Sequence, residues 1–315
     1  MRITRGTLAA SGGTARSALT IGNFDGVHRG HQAMLARLKD ASQRLGLRAC
    51  VITFEPHPRE FFTPAEAPAR LTPMHIKLEL LEAAGVDHVH LARFDAQFAS
   101  LSPEKFVEQV LAHGLGCAWL LAGRDFRYGA RRAGDFAALE AAAVRHGFVL
   151  EPMPEVTHAG ERISSSAVRA ALAAGDMRRA ASLLGRAFAI GGHVAHGDRL
   201  GRELGFATAN IPLAPGRVPV HGIFVVETLG IDAGAPPWPG VASVGVRPTV
   251  KADGATVLEV HLFDFAGDLY GRRLEVRFLA KLRDEEKYQG LEALRAAIAR
   301  DVARAKDYFS TREHG

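Results

Sequence analysis

The chain has 315 residues, which corresponds to about two domains of ordinary size. With 47% hydrophobic and 23% charged residues it carries the apolar material of globular cores, which excludes a chain disordered throughout. Its 33 glycines and 15 prolines follow no Gly-x-y period, which excludes a fibrous one.

The net charge of +5 is scattered, its longest clusters being Arg131-Arg132, Arg178-Arg179 and Arg272-Arg273. No basic stripe interleaved with aromatics is present, so small anions such as nucleotides are expected as partners, not nucleic acid. Cys50 and Cys117 form neither a disulfide framework nor a C-x-x-C pair, which points to a reducing compartment. The N-terminal MRITRGTLAASGG lacks a signal-peptide core, and no run of about 18 apolar residues occurs. A soluble, cytoplasmic protein without a membrane partner is expected; the oligomeric state is left open.

In chain order, Ala18–Ile21, Ala49–Phe54, Val86–Leu91, Ala118–Ala122 and Phe148–Val156 read as strands. Between them, Gln32–Leu38, Met74–Ala84, Pro103–Ala112 and Phe136–Arg145 have helical spacing. This alternation predicts an α/β domain with a parallel sheet, whose ligands sit at the carboxyl ends of the strands. A helical pair follows, Ser166–Ala174 and Met177–Leu184, with Gly175 as a stop and Asp176 as an N-cap. After Gly185 come six strands: Phe188–Val194, Ala207–Leu213, Ile223–Thr228, Gly240–Val246, Val257–Phe265 and Arg273–Lys281. Helices do not separate them, so an antiparallel barrel or sandwich is expected, closed by a helix over Gly290–Lys306. Ala233–Gly240 reads as a surface loop. The boundary lies near 184–187, which gives domains 1–184 and 185–315.

The first chemical constellation follows the first strand: Gly22-Asn23-Phe24-Asp25-Gly26-Val27-His28-Arg29-Gly30-His31. Backbone N–H groups at the helix start face an anion there, and His28 and His31, three apart, can address one phosphate. Zinc is the weaker reading, since no H-E-x-x-H and no cysteine ligands accompany the pair. Arg169 lies in the first turn of a serine-opened helix, an unfavourable place for a cation unless an anion occupies the helix start. The turn Pro56-His57-Pro58, followed by Phe61 and Phe62, offers aromatic surface for a flat ring, although the same phenylalanines would also serve a core.

The second constellation is the glycine-bearing loop Gly197–Gly205 leading to Phe206-Ala207-Thr208-Ala209-Asn210. It is no P-loop, for G-x-x-x-x-G-K-[ST] is absent. The oxygens of Thr208 and Asn210 suit Mg²⁺ shared with phosphates, or else an ordinary polar strand face.

These motifs resemble the prokaryotic bifunctional riboflavin kinase/FMN adenylyltransferase (FAD synthetase) family. The resemblance rests on G-x-F-D-G-x-H-x-G-H, Thr53-Phe54-Glu55-Pro56-His57-Pro58, Arg70-Leu71-Thr72, Gly123–Gly129 and Ile163–Arg169 in the first part. In the second it rests on Gly197–Asn210, Gly245–Thr249, Glu259–Leu262, Asp268–Gly271 and Arg283–Tyr288.

It implies a Rossmann-like nucleotidyltransferase domain and a riboflavin kinase barrel, with ATP consumed both in phosphorylation of riboflavin to FMN and in adenylylation of FMN to FAD, and Mg²⁺ as cofactor held in the barrel. It implies ATP contacts at Gly22, Asn23, Phe24, Asp25, His28, His31, Ser165 and Arg169, with the two histidines catalytic. Flavin contacts in that domain would be Pro56, His57, Pro58, Phe62, Asp125 and Phe126. In the barrel it implies ATP and Mg²⁺ at Gly197, Gly201, Thr208 and Asn210, with Thr208 and Asn210 as metal ligands. Glu259 would be the general base, and Arg283 would join it at the flavin. Ala207, Ser243 and Tyr128 depart from the family's usual proline, asparagine and phenylalanine. The alternatives are an adenylyltransferase with a kinase-inactive, flavin-binding barrel, and a flavin- or RNA-binding regulator.

Overall fold

The computed structural model describes residues 1–6, 16–197, 200–213, 218–232, 234–246 and 256–313. They form two compact units, Met1–Ser165 and Ser166–Gly315. Among the described residues no helix is long and apolar enough to cross a membrane.

The first unit runs β1 (Arg2–Arg5), β2 (Ser17–Ile21), α1 (Arg29–Leu45), β3 (Arg48–Glu55), α2 (Pro58–Phe62), α3 (Met74–Ala83) and β4 (His88–Arg93). It continues with α4 (Ala96–Ala99), α5 (Pro103–Lys105, prolonged by a wider-wound turn over Phe106–Gly114), β5 (Cys117–Gly123), α6 (Phe136–His146) and β6 (Val149–Met153). A small hairpin, β7 (Thr157–His158) and β8 (Glu161–Arg162), ends it. The sheet order is β1-β4-β3-β2-β5-β6 with every neighbouring pair parallel.

The apolar strands are continuous because both faces are covered. Leu19, Cys50, Ile52 and Leu120 pack against Leu111 and Leu139 on one side, and Ala18, Val51, Val89 and Leu121 pack against Leu35 and Leu38 on the other. The chain steps outward from β2 to β3 and β4, then returns to β5 on the opposite side of β2. That reversal opens a crevice at the carboxyl ends of β2 and β5. The sequence pattern does not announce β1: Arg2-Ile3-Thr4-Arg5 holds a single apolar residue, and its extended form comes from pairing with β4.

The second unit contains most of α7 (Ser165–Ala173), then α8 (Met177–Leu184), β9 (Phe188–His193), α9 (Leu200–Glu203), β10 (Ala209–Pro212) and β11 (Gly222–Leu229). It ends with β12 (Trp238–Val246), β13 (Thr256–Leu262), β14 (Arg273–Arg283) and α10 (Leu291–Glu313). Asp176 caps α8 by accepting from the Arg179 N–H at 2.9 Å, and Gly185 ends it with φ 75°. The strand order is β10-β13-β12-β11-β14-β9, antiparallel throughout. A bridge between Ala195 and Asn210 joins the two end strands, so the sheet is a nearly closed barrel, not a sandwich.

Three expectations need correction. Trp238–Gly240, read as loop, open β12, because the Trp238 indole N–H anchors them on the Phe263 carbonyl at 2.7 Å. β13 stops at Leu262, before the left-handed Asp264 (φ 54°). The last helix runs past Lys306 to Glu313, since Tyr308 and Phe309 find an apolar seat beside Val225, Val241 and Phe263.

Candidate active sites

In the first unit, β2 ends in a turn that its own apolar residues distort. Phe24 (φ 48°) and Val27 (φ 39°) adopt left-handed backbone, unusual for such side chains, and both are buried. Burying the phenyl ring stabilises by about 2–3 kcal/mol, which offsets strain of similar size. The turn delivers His28 to the N-cap of α1, where its Nδ1 accepts the His31 N–H at 3.3 Å. The two imidazoles stack at 3.7 Å with 14° between planes. A Cβ on Gly30 would lie 3.2 Å from the His28 ring, so this glycine makes room for the histidine. His31 Nδ1 is buried with no hydrogen-bond partner among the described residues. Burial, then the neighbouring His28 and Lys77, hold its pKa well below the usual histidine value.

Three ties fix the turn. The buried Asp25 carboxylate accepts the N–H groups of Leu71 and Thr72 at 3.0 and 3.1 Å. Ser165 Oγ donates to the Asp25 carbonyl at 2.9 Å, which brings the start of α7 to the turn. The Asn23 carbonyl accepts both Thr53 Oγ1 at 3.1 Å and Lys77 Nζ at 2.8 Å. Asn23 Oδ1 and Thr72 Oγ1 are buried polar atoms that no group among the described residues satisfies. Arg169 is the fifth residue of α7, one position beyond the first turn, because the helix begins at Ser165; it belongs to the second unit.

A cavity of about 570 Å³ opens in the crevice, with His28, His31, Gly123, Asp125, Arg162 and Ile163 on its walls. Asp125 folds back over Gly123 and pairs with Arg162 at 2.8 Å. The Pro56–Pro58 turn is held by His57, which caps α2 reciprocally with Glu60. Arg70 binds Glu55 at 2.8 Å and Glu60 at 2.5 Å, so two of the sequence motifs are one ion-pair cluster. Phe62 is 62% exposed, a surface ring and not part of a core. It begins a chain of ring contacts, Phe62–Phe94–Phe98–Phe106–Tyr128–Phe126, with centroids 5.4 to 6.1 Å apart. The expected flavin residues Phe62 and Phe126 are therefore linked through intervening rings and do not touch.

In the second unit one rung of the barrel gathers the polar residues. Glu259 on β13 stands opposite Asn210 on β10 and, on its other side, opposite Ser243 on β12. All three line a cavity of about 380 Å³ together with Gly201, Thr208 and Arg283. An adjoining cavity of about 420 Å³ shares Thr208 and His261 with it and adds Asp268, Tyr270 and Lys306. The Asn210 amide packs into the space a Cβ at Gly197 would fill. An amide oxygen beside a hydroxyl, with no cluster of three carboxylate, histidine or cysteine ligands among the described residues, suits Mg²⁺ held jointly with phosphates. The Ala207 carbonyl accepts the His261 ring N–H at 2.9 Å, which restrains the backbone where proline would have fixed it.

Arg283 is committed to Asp301 of α10, with contacts of 2.6 to 3.1 Å, and its guanidinium lies 5.8 Å from the Tyr288 ring. Glu285 reaches the same cavity over Gly245, and burial first, with the Glu259 charge, raises its pKa. Sequence reasoning missed Lys77, Arg162 and Asp301, and it noted Glu285 only as a member of the Arg283–Tyr288 motif, without a role of its own. Lys77, Arg162 and Asp301 each act on a partner 18 to 54 residues away, and no local signal marks them. Asp198, Arg199 and Arg247–Thr249 lie outside the described residues.

Comparison with known proteins places these sites in context. The profile of the FAD synthetase family matches residues 12–167, and that of the riboflavin kinase family matches 184–309. The bifunctional riboflavin kinase/FMN adenylyltransferase of Pseudomonas fluorescens is 50% identical, with 94% of each chain covered. That of Escherichia coli K12 is 48% identical, with 92% of each covered. A crystal structure described as a macrolide-efflux protein from Streptococcus pneumoniae has a TM-score of 0.78 at 27% identity, covering 96% of this chain and 97% of that one.

Proposed function

Because the chain belongs to the bifunctional riboflavin kinase/FMN adenylyltransferase family, we propose that it converts riboflavin to FMN in the barrel and FMN to FAD in the α/β unit, each step consuming ATP. The reading is carried by one observation: each unit has its own polar cavity, and each cavity gathers the residues of a separate set of motifs. The working division is 1–184 for adenylyl transfer and 185–315 for phosphorylation.

In the barrel, the Glu259 carboxylate takes the proton of the riboflavin 5′-hydroxyl as the hydroxyl oxygen attacks the γ-phosphorus of ATP, the bond to the bridging oxygen breaks and ADP leaves. Thr208 and Asn210 would hold Mg²⁺, which reduces the charge of the nucleotide phosphates when bound. Gly197 and Gly201 let the loop approach those phosphates, and Arg283, fixed by Asp301, shapes the flavin side.

In the α/β unit, an FMN phosphate oxygen attacks the α-phosphorus of ATP and pyrophosphate leaves, so no protein nucleophile is required. His28 and His31 face the charge that builds on the phosphorus. Gly22, Asn23, Phe24 and Asp25 form the ATP turn, with Ser165 and Arg169 assigned to the leaving phosphates. Pro56, His57, Pro58, Phe62, Asp125 and Phe126 are assigned to the flavin.

The test is chromatographic. Protein, riboflavin, ATP and Mg²⁺ should give FMN and then FAD, and supplied FMN should give FAD. His28→Ala should stop FAD while FMN accumulates, and Glu259→Ala should stop FMN while supplied FMN still yields FAD. A barrel that only binds flavin would give no FMN from riboflavin.

A further inference from the structure

Lys77, in the first turn of α3, is 6% exposed, a costly place for an ammonium group. An apolar side chain of similar length would fill the position more cheaply. Burial drives the Lys77 pKa down, while Asp25 and Glu55 favour its charge and Arg70 opposes it. Among the described residues Nζ makes one hydrogen bond, to the Asn23 carbonyl at 2.8 Å.

That carbonyl opens the turn containing the left-handed Phe24, Gly26 and Val27, and the turn ends at His28. Asp25 reaches from the turn to Leu71 and Thr72, and Lys77 reaches back from the next helix to the turn. Turn and segment 70–77 are thus clamped in both directions, by one buried anion and one buried cation. A strained conformation persists only where its surroundings over-determine it. Lys77 and Thr53 supply that constraint at Asn23, and the stacked histidines depend on it for their place.

We propose that Lys77 is a positioning residue for adenylyl transfer, its buried ammonium holding the Asn23–Val27 turn in the form that presents His28 and His31 to the triphosphate. The inference rests on the assignment of FAD formation to this unit. The clamp is built from Asn23, Asp25, Thr53, Leu71, Thr72 and Lys77, all of the first unit and none assigned to the flavin, so its signature is confined to one reaction and to the turnover of that reaction.

The experiment uses the full chain and measures FAD formation from supplied FMN and ATP with Mg²⁺, FMN formation from riboflavin, and thermal unfolding. Lys77→Met should lower kcat for FAD by about tenfold or more, with KM for FMN within about twofold and FMN formation unchanged, as expected when reacting groups are misplaced but substrate still binds. Lys77→Arg, which keeps charge and reach, should recover at least half of the lost activity on a logarithmic scale. Thr53→Val, which removes the other donor to the same carbonyl, should show the same split more weakly, and it carries the test if Lys77→Met unfolds. A Lys77→Met protein with wild-type kcat, an Arg variant as slow as the Met variant, or a folded Thr53→Val with unchanged kcat would each overturn the proposal. Absence of FAD formation by the wild-type chain would instead strike the functional assignment.

Discussion

Glu259 and Asn210 face each other as one residue pair of the β10–β13 ladder, so the assigned base and the assigned metal ligand share a rung of the barrel. The roles proposed for them should separate kinetically. Glu259→Gln should lower kcat for FMN formation by about 10² to 10⁴ and leave the Mg²⁺ concentration for half-maximal rate unchanged. Asn210→Ala should instead raise that Mg²⁺ concentration several-fold. Titrating Mg²⁺ against initial FMN rate for both variants checks the division; equal shifts would refute it.

Gly245 is the floor on which Glu285 lies, and a Cβ there would collide with the Glu285 carboxylate. Gly245→Ala should therefore push the Glu285 carboxylate off its seat over residue 245, at about 1–3 kcal/mol of overpacking. FMN formation should fall about tenfold, and KM for riboflavin should rise as the carboxylate swings into the cavity. FAD formation from supplied FMN should not change. Denaturant midpoints and the two product assays report these effects together.

Phe62 is exposed and packs on Phe61 and Phe94 at its edge. Phe62→Ser should leave stability within about 0.5 kcal/mol of the parent, as surface changes do. The KM for FMN in adenylyl transfer should rise about five- to tenfold, the equivalent of about 1 kcal/mol of lost ring contact. A KM unchanged in steady-state assays would remove Phe62 from the flavin site.

His88 and His90 share Thr4 Oγ1, at 2.8 and 2.9 Å, beneath the edge strand β1. Burial first, then neighbouring positive charge, holds both pKa values down at about 4. In the unfolded chain histidine titrates near 6.5, so unfolding takes up protons between about pH 6.5 and 4. The stability from keeping them neutral is present in full above pH 6.5 and is lost as pH falls through that window, by about 3 kcal/mol for each. Denaturant titrations at steps of pH should show this fall, and the double variant His88→Gln/His90→Gln should flatten it.

Much of this molecule is legible from its sequence because local chemistry and tertiary packing agree. Asp176 and Gly185 bound α8 where the capping pattern puts them, and the β-rich runs become the strands of both sheets. The Gly22–His31 motif likewise lies at the first strand-to-helix turn. What escapes the sequence is made across distance. Nothing around Lys77 in its helix says that its ammonium meets a carbonyl 54 residues earlier. Nothing around Asp301 says that it will neutralise Arg283. Nothing in the spacing of the motif says that the missing side chain of Gly30 accommodates a neighbouring histidine ring. β1 escapes for the opposite reason: its extended form is imposed by β4 and not by its own residues.

The rung formed by Asn210, Glu259 and Ser243 also governs how the barrel tolerates changes in length. Side chains alternate across a strand with a period of two, so one residue inserted or deleted inside β13 would turn Glu259 toward the core and put Leu258 or Val260 in its place. Base and metal ligand would then be separated in a single event. Natural length variation and engineered insertions in this barrel should therefore concentrate in the connections between strands, leaving the interiors of β10, β12 and β13 invariant in length even where their outward residues diverge.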